Sequence, residues 1–167
     1  LVRRHSLEKA GGLEAIKDAV IDDCTLAALL KRNNGRIWLG LAKDIFSIRP
    51  YDGLADIWNM VARTAFTELN YACLRLLGAI LGMILVYLSG PLLFLLYPWH
   101  EVVPASSLGL LAWLLMTCAY IPTILYYRVP IIWAIALPLV GFLYTLMTID
   151  SALRHLRNRG SGWKGRT

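Results

Sequence analysis

The sequence has few charged residues and few cysteines for its length. Only 17% of its 167 residues are Asp, Glu, Lys or Arg, 57% are hydrophobic, and the mean hydropathy is +0.55. Soluble domains carry about 25% charged residues, so this composition excludes a disordered chain and disfavours a soluble one. Cys24, Cys73 and Cys118 are too scattered for a disulfide framework or a metal site. The chain starts at Leu1 without a signal-peptide pattern, and we expect it to be a piece of a longer protein.

Charge is divided unevenly between the two parts of the chain. Residues 1–72 contain ten Lys or Arg and nine Asp or Glu, whereas residues 73–167 contain seven and two. This asymmetry indicates that the two parts of the chain lie in different environments. The basic residues are not interleaved with aromatic residues in a way that would follow a phosphate backbone, so we expect no nucleic-acid partner.

The second part contains three apolar runs, at residues 73–97, 108–127 and 129–149. A bilayer core requires about 20 apolar residues in a helix, so the runs predict three segments of an α-helical transmembrane bundle in residues 73–149. The alternative, helices buried in a soluble core, is disfavoured because three such runs occur in one short chain. Gly78 and Gly82 form a small-residue pair that fits either a helix contact or a lipid-facing surface.

The tail, residues 150–167, contains five Lys or Arg after Asp150. Basic residues after a membrane segment are typical of a cytoplasmic flank. Three full crossings, however, would put the tail opposite residue 72. Either the first run, interrupted by Ser89-Gly90-Pro91, does not cross fully, or the tail lies outside.

The front part, residues 1–51, has the pattern of an α/β domain. A short helix at residues 7–10 is closed by Gly11-Gly12, and a second helix at residues 21–32 is stopped at Gly35. Alternating apolar residues then predict strands at residues 36–41 and 45–49.

Residues 52–72 predict an amphipathic helix. Leu54, Trp58, Val61 and Phe66 recur at helical spacing on one face, and polar residues that include Arg63 line the other. Because the helix leads into an apolar run, we expect it to lie at the membrane interface. The alternative is a helix that packs on a soluble core.

The order of these features resembles the second half of membrane-bound family 2 glycosyltransferases. The resemblance is carried by Leu1-Val2-Arg3-Arg4, Gly11-Gly12, the acidic pair Asp22-Asp23 before a Leu-rich helix, and the interfacial helix before membrane segments. Three further stretches make the hopene-associated enzymes of hopanoid-making bacteria the most similar subgroup. They are Ser47-Ile48-Arg49-Pro50-Tyr51, Met60-Val61-Ala62-Arg63 and Trp163-Lys164-Gly165-Arg166.

The resemblance implies an α/β fragment, the second half of a GT-A-like catalytic domain, followed by the transmembrane bundle. It implies an inverting transfer of a sugar from a nucleotide-sugar to a membrane lipid acceptor, with Asp23 as general base and Asp22 beside it. It also implies that Arg63 binds the donor diphosphate and that Gly11, Gly12 and Arg3 line the acceptor pocket. The protein would be a multi-pass protein of the inner membrane, with residues 1–72 on the cytoplasmic side.

The sequence departs from this family in two respects. Of the family's Gln-x-x-Arg-Trp motif only Arg63 is present, since Met60 and Thr64 occupy the Gln and Trp positions. No Asp-x-Asp occurs in the chain. The divalent metal, Mg or Mn, that the family uses would therefore have its ligands in a missing nucleotide-binding half, and we expect this chain alone to be inactive. The alternative is a non-enzymatic membrane anchor or assembly module for a separate catalytic chain.

Overall fold

The computed structural model describes residues 2–17, 19, 21–43, 45–46, 48 and 51–157. The described residues up to Phe46 form one compact unit, and those from Ile48 onward form a second.

The first unit contains two α-helices and one short 3₁₀ helix among its described residues. Helix α1 is Arg4–Lys9, a 3₁₀ turn follows at Leu13–Ile16, and α2 is Asp22–Arg32. Both predicted helices are confirmed. Helix α2 ends because Asn34 takes a left-handed φ of 59° and the Gly35 N–H donates to the Leu30 carbonyl over 2.8 Å, a bond that satisfies one of the unpaired carbonyls at a helix end.

The predicted α/β fold is wrong. The described residues of both units contain helices and no strand, and residues 36–43 form irregular backbone. Of the second predicted strand, only Ile45, Phe46 and Ile48 are described, and they too are irregular. The side chains of Trp38 and Leu39 are 86% and 99% exposed. An alternating apolar pattern makes a strand only where a neighbouring strand pairs its backbone groups, and the described residues provide none.

The second unit is helical throughout its regular part. Helix α3 is Leu54–Glu68, within residues 52–72 for which an amphipathic helix was predicted, and α4 is Cys73–Met83. A π-helical turn at Ile84–Leu88 connects α4 to α5, Ser89–Leu95. The chain continues through four more helices: α6 at Tyr97–His100, α7 at Val103–Tyr126, α8 at Ile132–Ile135 and α9 at Leu137–Leu156.

Two helical segments among the described residues are long and apolar enough to cross a membrane. They are Cys73–Leu95, with 23 residues, and Val103–Tyr126, with 24 residues. Most of their side chains are exposed, as expected of a surface that meets lipid rather than a protein core. The third apolar run does not form one continuous helix. Its residues are divided between α8 and α9, and α9 extends past residue 149 to include Asp150 and Arg154.

Glycines set the closest helix contacts. Helices α5 and α7 cross where Gly90 faces Gly109, and a Cβ on Gly109 would lie 2.6 Å from the Gly90 carbonyl oxygen. Helix α9 passes the π turn where Gly141 touches the side chain of Tyr87. Nothing lies within 4 Å of a Cβ built on Gly78 or Gly82. The glycine pair noticed in the sequence therefore makes no helix contact within the described residues.

Candidate functional site

The acidic pair lies in the first turn of α2, where both carboxylates are exposed. Asp22 Oδ1 accepts the backbone N–H of Asp23 over 3.0 Å, and Asp23 Oδ1 accepts that of Cys24 over 2.8 Å. Ile21 holds the N-cap position, so neither aspartate is the N-cap residue that a purely structural role would predict. One oxygen of each carboxylate is held by the backbone, and the groups remain open to solvent.

The Gly-Gly turn closes α1. Gly11 and Gly12 have φ values of 98° and 70°, in the left-handed region that favours glycine. The Gly12 N–H donates to the Leu7 carbonyl over 2.9 Å, and the Gly11 N–H donates to the Glu8 carbonyl over 3.1 Å. This is the Schellman arrangement of a helix end, and it accounts for both glycines by local structure. Their predicted role in an acceptor pocket stays a prediction.

Arg3 occupies the N-cap position of α1, and its side chain is exposed. It lies in the same unit as the Gly-Gly turn and the acidic pair. Between the described residues, no hydrogen bond or ion pair joins Asp22 or Asp23 to Arg3, Gly11 or Gly12. The fold therefore brings these predicted site residues into one unit but does not link them by direct contacts.

Arg63 belongs to the second unit and is half-buried on α3. Buried residues of the same helix, Val61, Ala62 and Phe66, form the face that packs mainly on α9. Asn59 is one turn before Arg63, and side chains four residues apart on a helix are neighbours on one face. The guanidinium is thus carried by a helix whose position is determined by the C-terminal end of α9.

A polar cluster joins α3 to that end of α9. The Trp58 indole N–H donates to Asp150 Oδ2 over 2.7 Å, and Arg154 pairs with the same oxygen at 2.8 Å. Arg154 Nη1 also donates to Asn59 Oδ1 over 3.0 Å. Next to Asp150, the buried Ser151 hydroxyl accepts the backbone N–H of Phe66 over 3.0 Å. We call Trp58, Asn59, Asp150 and Arg154 the junction cluster.

Aromatic rings extend the contact beyond the junction cluster. Tyr71 stacks on His155 with 4.5 Å between ring centroids and 23° between ring planes. The ring of Phe66 lies edge-on to both, at 5.6 Å from Tyr71 and 5.4 Å from His155. Such aromatic pairs stabilise a fold by about 0.5–1.5 kcal/mol each beyond their area burial. Polar and aromatic contacts together hold α3 firmly on α9.

Asp150 is ionised over the whole physiological range. The hydrogen bond from the Trp58 indole lowers the pKa of the Asp150 carboxyl, and the hydrogen bond and positive charge of Arg154, with the charge of Arg157, act in the same direction. Partial burial opposes them by disfavouring the charged form. The net shift is downward from the usual value of 3.8.

The sequence reasoning did not identify the junction cluster. Trp58 was assigned to an apolar face, and Arg154 to a flank that orients the chain. A signal was present, because Asp150 and Arg154 are four residues apart after an apolar run, the spacing of an ion pair on one helix face. The pairing of Asp150 with Trp58, 92 residues earlier in the chain, has no local signature.

The described residues do not form a metal site. Among them, no group of three or more His, Cys, Asp or Glu side chains is arranged to hold a metal ion. The carboxylates of Asp22 and Asp23 are exposed, and their placement is explained by backbone N–H groups. The divalent metal implied by the resemblance does not fit these residues.

The described residues include an exposed carboxylate pair and two helices that are long and apolar enough to cross a membrane. The family model of glycosyl transferase family 21 matches residues 1–167. The chain belongs to this family, and it is a glycosyltransferase chain. No curated protein and no solved structure matches it. The match confirms the predicted class of enzyme, but it supports neither family 2 nor the hopanoid subgroup.

Proposed function

We propose that the protein transfers a sugar, with inversion, from a nucleotide-sugar to a lipid acceptor in the membrane. The observation that carries this proposal is a family 21 match over the whole of a chain that includes two helices of membrane-spanning length. An enzyme with such helices meets its acceptor hydroxyl at the headgroup level of the bilayer. The sequence pattern at residues 47–51 and 60–63 favours a hopanoid or another polyisoprenoid-type acceptor.

Asp23 is the proposed general base. In an inverting transfer, the acceptor hydroxyl oxygen attacks the anomeric carbon, its proton goes to the base, and the nucleoside diphosphate leaves with the bonding electrons. The base must come within hydrogen-bond distance of the hydroxyl. The Asp23 carboxylate is exposed and has one oxygen held by the Cys24 N–H, which leaves its other oxygen to accept the proton. Asp22 adds a second negative charge beside it.

Arg63 is the proposed partner of the leaving diphosphate, whose negative charge grows as the bond to the sugar breaks. A guanidinium binds phosphate oxygens through paired donors in a fixed geometry. The half-burial of Arg63 on α3 supports this role, because a side chain held by its surroundings loses less freedom on binding than a fully exposed one. Any divalent metal for the donor would be bound by groups outside the described residues.

We propose a multi-pass inner-membrane protein with residues 1–72 and the tail on the cytoplasmic side, where nucleotide-sugars are made. The position of Tyr71 supports this arrangement. Tyr71 comes directly before the span Cys73–Leu95, and its ring stacks on His155 near the end of α9. The beginning of the first span and the end of the last helix are therefore at one level, which favours an even number of crossings.

An even number of crossings requires that one of the three apolar runs does not cross fully, and we propose that this is the third run. Gly109 of α7 faces Gly90, and four residues later the Trp113 indole N–H donates to the Ile135 carbonyl over 3.1 Å. After α7 ends at Tyr126, residues 127–135 thus run back beside α7 until Ile135 lies next to Trp113. Helix α9 then leads back past Tyr87 to Tyr71. This path favours a segment at residues 127–136 that enters and reverses, in place of a third full span.

The test is transfer of label in membranes from cells that express the complete gene. A panel of radiolabelled nucleotide-sugars is added, lipids are extracted, and label in the lipid fraction is measured. We expect label from at least one donor, and about 10²- to 10⁴-fold slower labelling in membranes with the Asp23→Asn variant at matched expression. Failure of every donor to label the lipid fraction would refute the proposed reaction. Label in water-soluble or protein products alone would refute the lipid acceptor.

A further inference from the structure

We propose that Asp150 is a positioning residue for Arg63: it fixes α3 on the end of α9 and thereby holds the guanidinium where the donor diphosphate leaves. The proposal rests on the proposed function of Arg63. It adds a requirement that the resemblance does not imply, namely that α9 controls donor binding.

One oxygen of Asp150 connects the two helices. Oδ2 accepts the Trp58 indole N–H and also pairs with Arg154, which in turn donates to Asn59. A carboxylate that receives several charge-assisted or strong donors is held more tightly than one in a single surface pair. Trp58 and Asn59 occupy the turn of α3 directly before Arg63. Any rotation or sliding of this turn moves Arg63 with it.

The other hydrogen bond and the ring stack between α3 and α9 lie further along α3. The Ser151–Phe66 hydrogen bond and the Tyr71–His155 stack lie toward the C-terminal end of α3. Without the Asp150 bonds, that end and the buried Val61 and Ala62 still pack on α9, but the turn that carries Trp58 loses the hydrogen bonds that fix it there. We therefore expect loss of Asp150 to disturb the position of Arg63 more than the attachment of α3 as a whole.

Trp58→Phe and Asp150→Asn are the two informative variants in the complete protein. Trp58→Phe keeps a ring in place but removes the N–H donor, and Asp150→Asn removes the charge. Each should lower kcat/KM for the nucleotide-sugar by about 10-fold, a usual size for coupled neighbours, with KM for the lipid acceptor unchanged. Asp150→Glu should recover part of the loss. Glu68→Gln, an equal charge change at an exposed position of α3, is the control and should match the parent.

The decisive comparison uses the Arg63→Ala background. If Asp150 acts through Arg63, then Asp150→Asn should change kcat/KM by less than about 2-fold once Arg63 is absent, since effects of residues in one unit are not additive. A merely structural role would give the same 10-fold loss in both backgrounds. That outcome, or full activity of Trp58→Phe and Asp150→Asn in the parent, would overturn the proposal.

A measurement without turnover separates this proposal from the proposed function. Ala62, next to Arg63, is 3% exposed on the face of α3 that packs on α9, so the maleimide labelling rate of Ala62→Cys in a cysteine-free protein reports how often this part of α3 separates from α9. We expect Asp150→Asn to raise this rate by about 10-fold and Glu68→Gln to leave it unchanged. Complete lack of sugar transfer by the parent would refute the proposed function alone. An unchanged labelling rate would refute the role of Asp150, whatever the activity.

Discussion

Replacement of Gly109 by alanine should separate the two helices that cross at this residue. A Cβ there would lie 2.6 Å from the Gly90 carbonyl oxygen, 2.8 Å from Leu93 Cβ and 3.0 Å from the Phe94 backbone nitrogen. Two of these three atoms belong to the backbone of α5 and cannot rotate away. The helices must therefore move apart, and the contacts on both sides of the crossing are weakened with them.

The size of the effect follows from two opposing contributions. Forcing an extra methyl group into a packed contact typically costs about 1–3 kcal/mol. Alanine is favoured over glycine inside a helix by about 0.8–1.0 kcal/mol. The net destabilisation of Gly109→Ala should then be about 0–2 kcal/mol. Gly78→Ala, where nothing lies within 4 Å of the new Cβ, keeps only the favourable contribution and should stabilise by about 1 kcal/mol.

The assay is reversible unfolding of the purified protein in detergent micelles, followed by far-ultraviolet circular dichroism during titration with SDS. The two variants carry the same chemical change, so the difference between them cancels helix propensity and isolates the crossing. We expect a difference of about 1–3 kcal/mol in the free energy of unfolding. Equal stability of Gly109→Ala and Gly78→Ala would refute the close contact between α5 and α7. Destabilisation by Gly78→Ala would show instead that this face is covered.

Further predictions concern the proposed site and the topology. Asp23→Asn should lower turnover by about 10²- to 10⁴-fold with donor binding retained. Near-normal activity would show that Asp23 has only a structural role at the start of α2. Arg63→Ala should raise KM for the nucleotide-sugar and lower kcat in the same membrane assay, and an effect on the lipid acceptor alone would contradict its assignment to the diphosphate. Because the pKa of Asp150 is lowered in the folded protein, its stabilising contribution is present above its unfolded pKa and is lost as pH falls through the folded one. Near-ultraviolet circular dichroism in detergent should therefore be constant above about pH 5 and change below about pH 4, and Asp150→Asn should lack this pH-dependent step. In intact cells with a cysteine-free background, an impermeant thiol reagent should label Ser107→Cys and not Ser161→Cys, and labelling of the latter would place the tail outside.

Helices were predictable because their signals are local. The apolar spacing of α3 and the Leu-rich pattern of α2 are complete within one segment, and the stop signals are equally local. Gly11 takes the left-handed conformation that ends α1, and Asn34 takes it at the end of α2, directly before the Gly35 that the sequence indicated. Each of these depends only on residues within about two turns, so sequence alone was sufficient.

Strands were not predictable in this way. The alternation at residues 36–41 describes which side chains would share a face, but it says nothing about a partner for the backbone. Trp38 and Leu39 remain exposed on irregular backbone in the described part of the chain. A strand depends on pairing with another segment, and this long-range condition is invisible to a local pattern.

The candidate site also has one part that depends on local sequence and one part that depends on long-range contacts. The acidic pair at a helix start could be located from sequence, because a first turn rich in carboxylates is a local feature. The junction cluster could not, since Trp58 and Asp150 are far apart in the chain and meet only after the helices between them have packed. The ring of Trp58 fits the apolar face that its spacing predicts, and its indole N–H joins α3 to α9 by a bond of 2.7 Å to Asp150.

Pro91 interrupts the hydrogen bonds of its helix, and the resulting distortion affects where α9 and the junction cluster lie. Proline lacks the N–H that would bond the carbonyl four residues before it, and the helix accommodates this by widening into the π turn at Ile84–Leu88. Ser89 stabilises the widened turn, because its hydroxyl donates to the Leu85 carbonyl over 2.5 Å. The helix continues to Leu95 and meets α7 at Gly90. Since Tyr87, in the same π turn, touches Gly141 of α9, the distortion also sets where α9 passes α4, and α9 in turn carries Asp150 to Trp58.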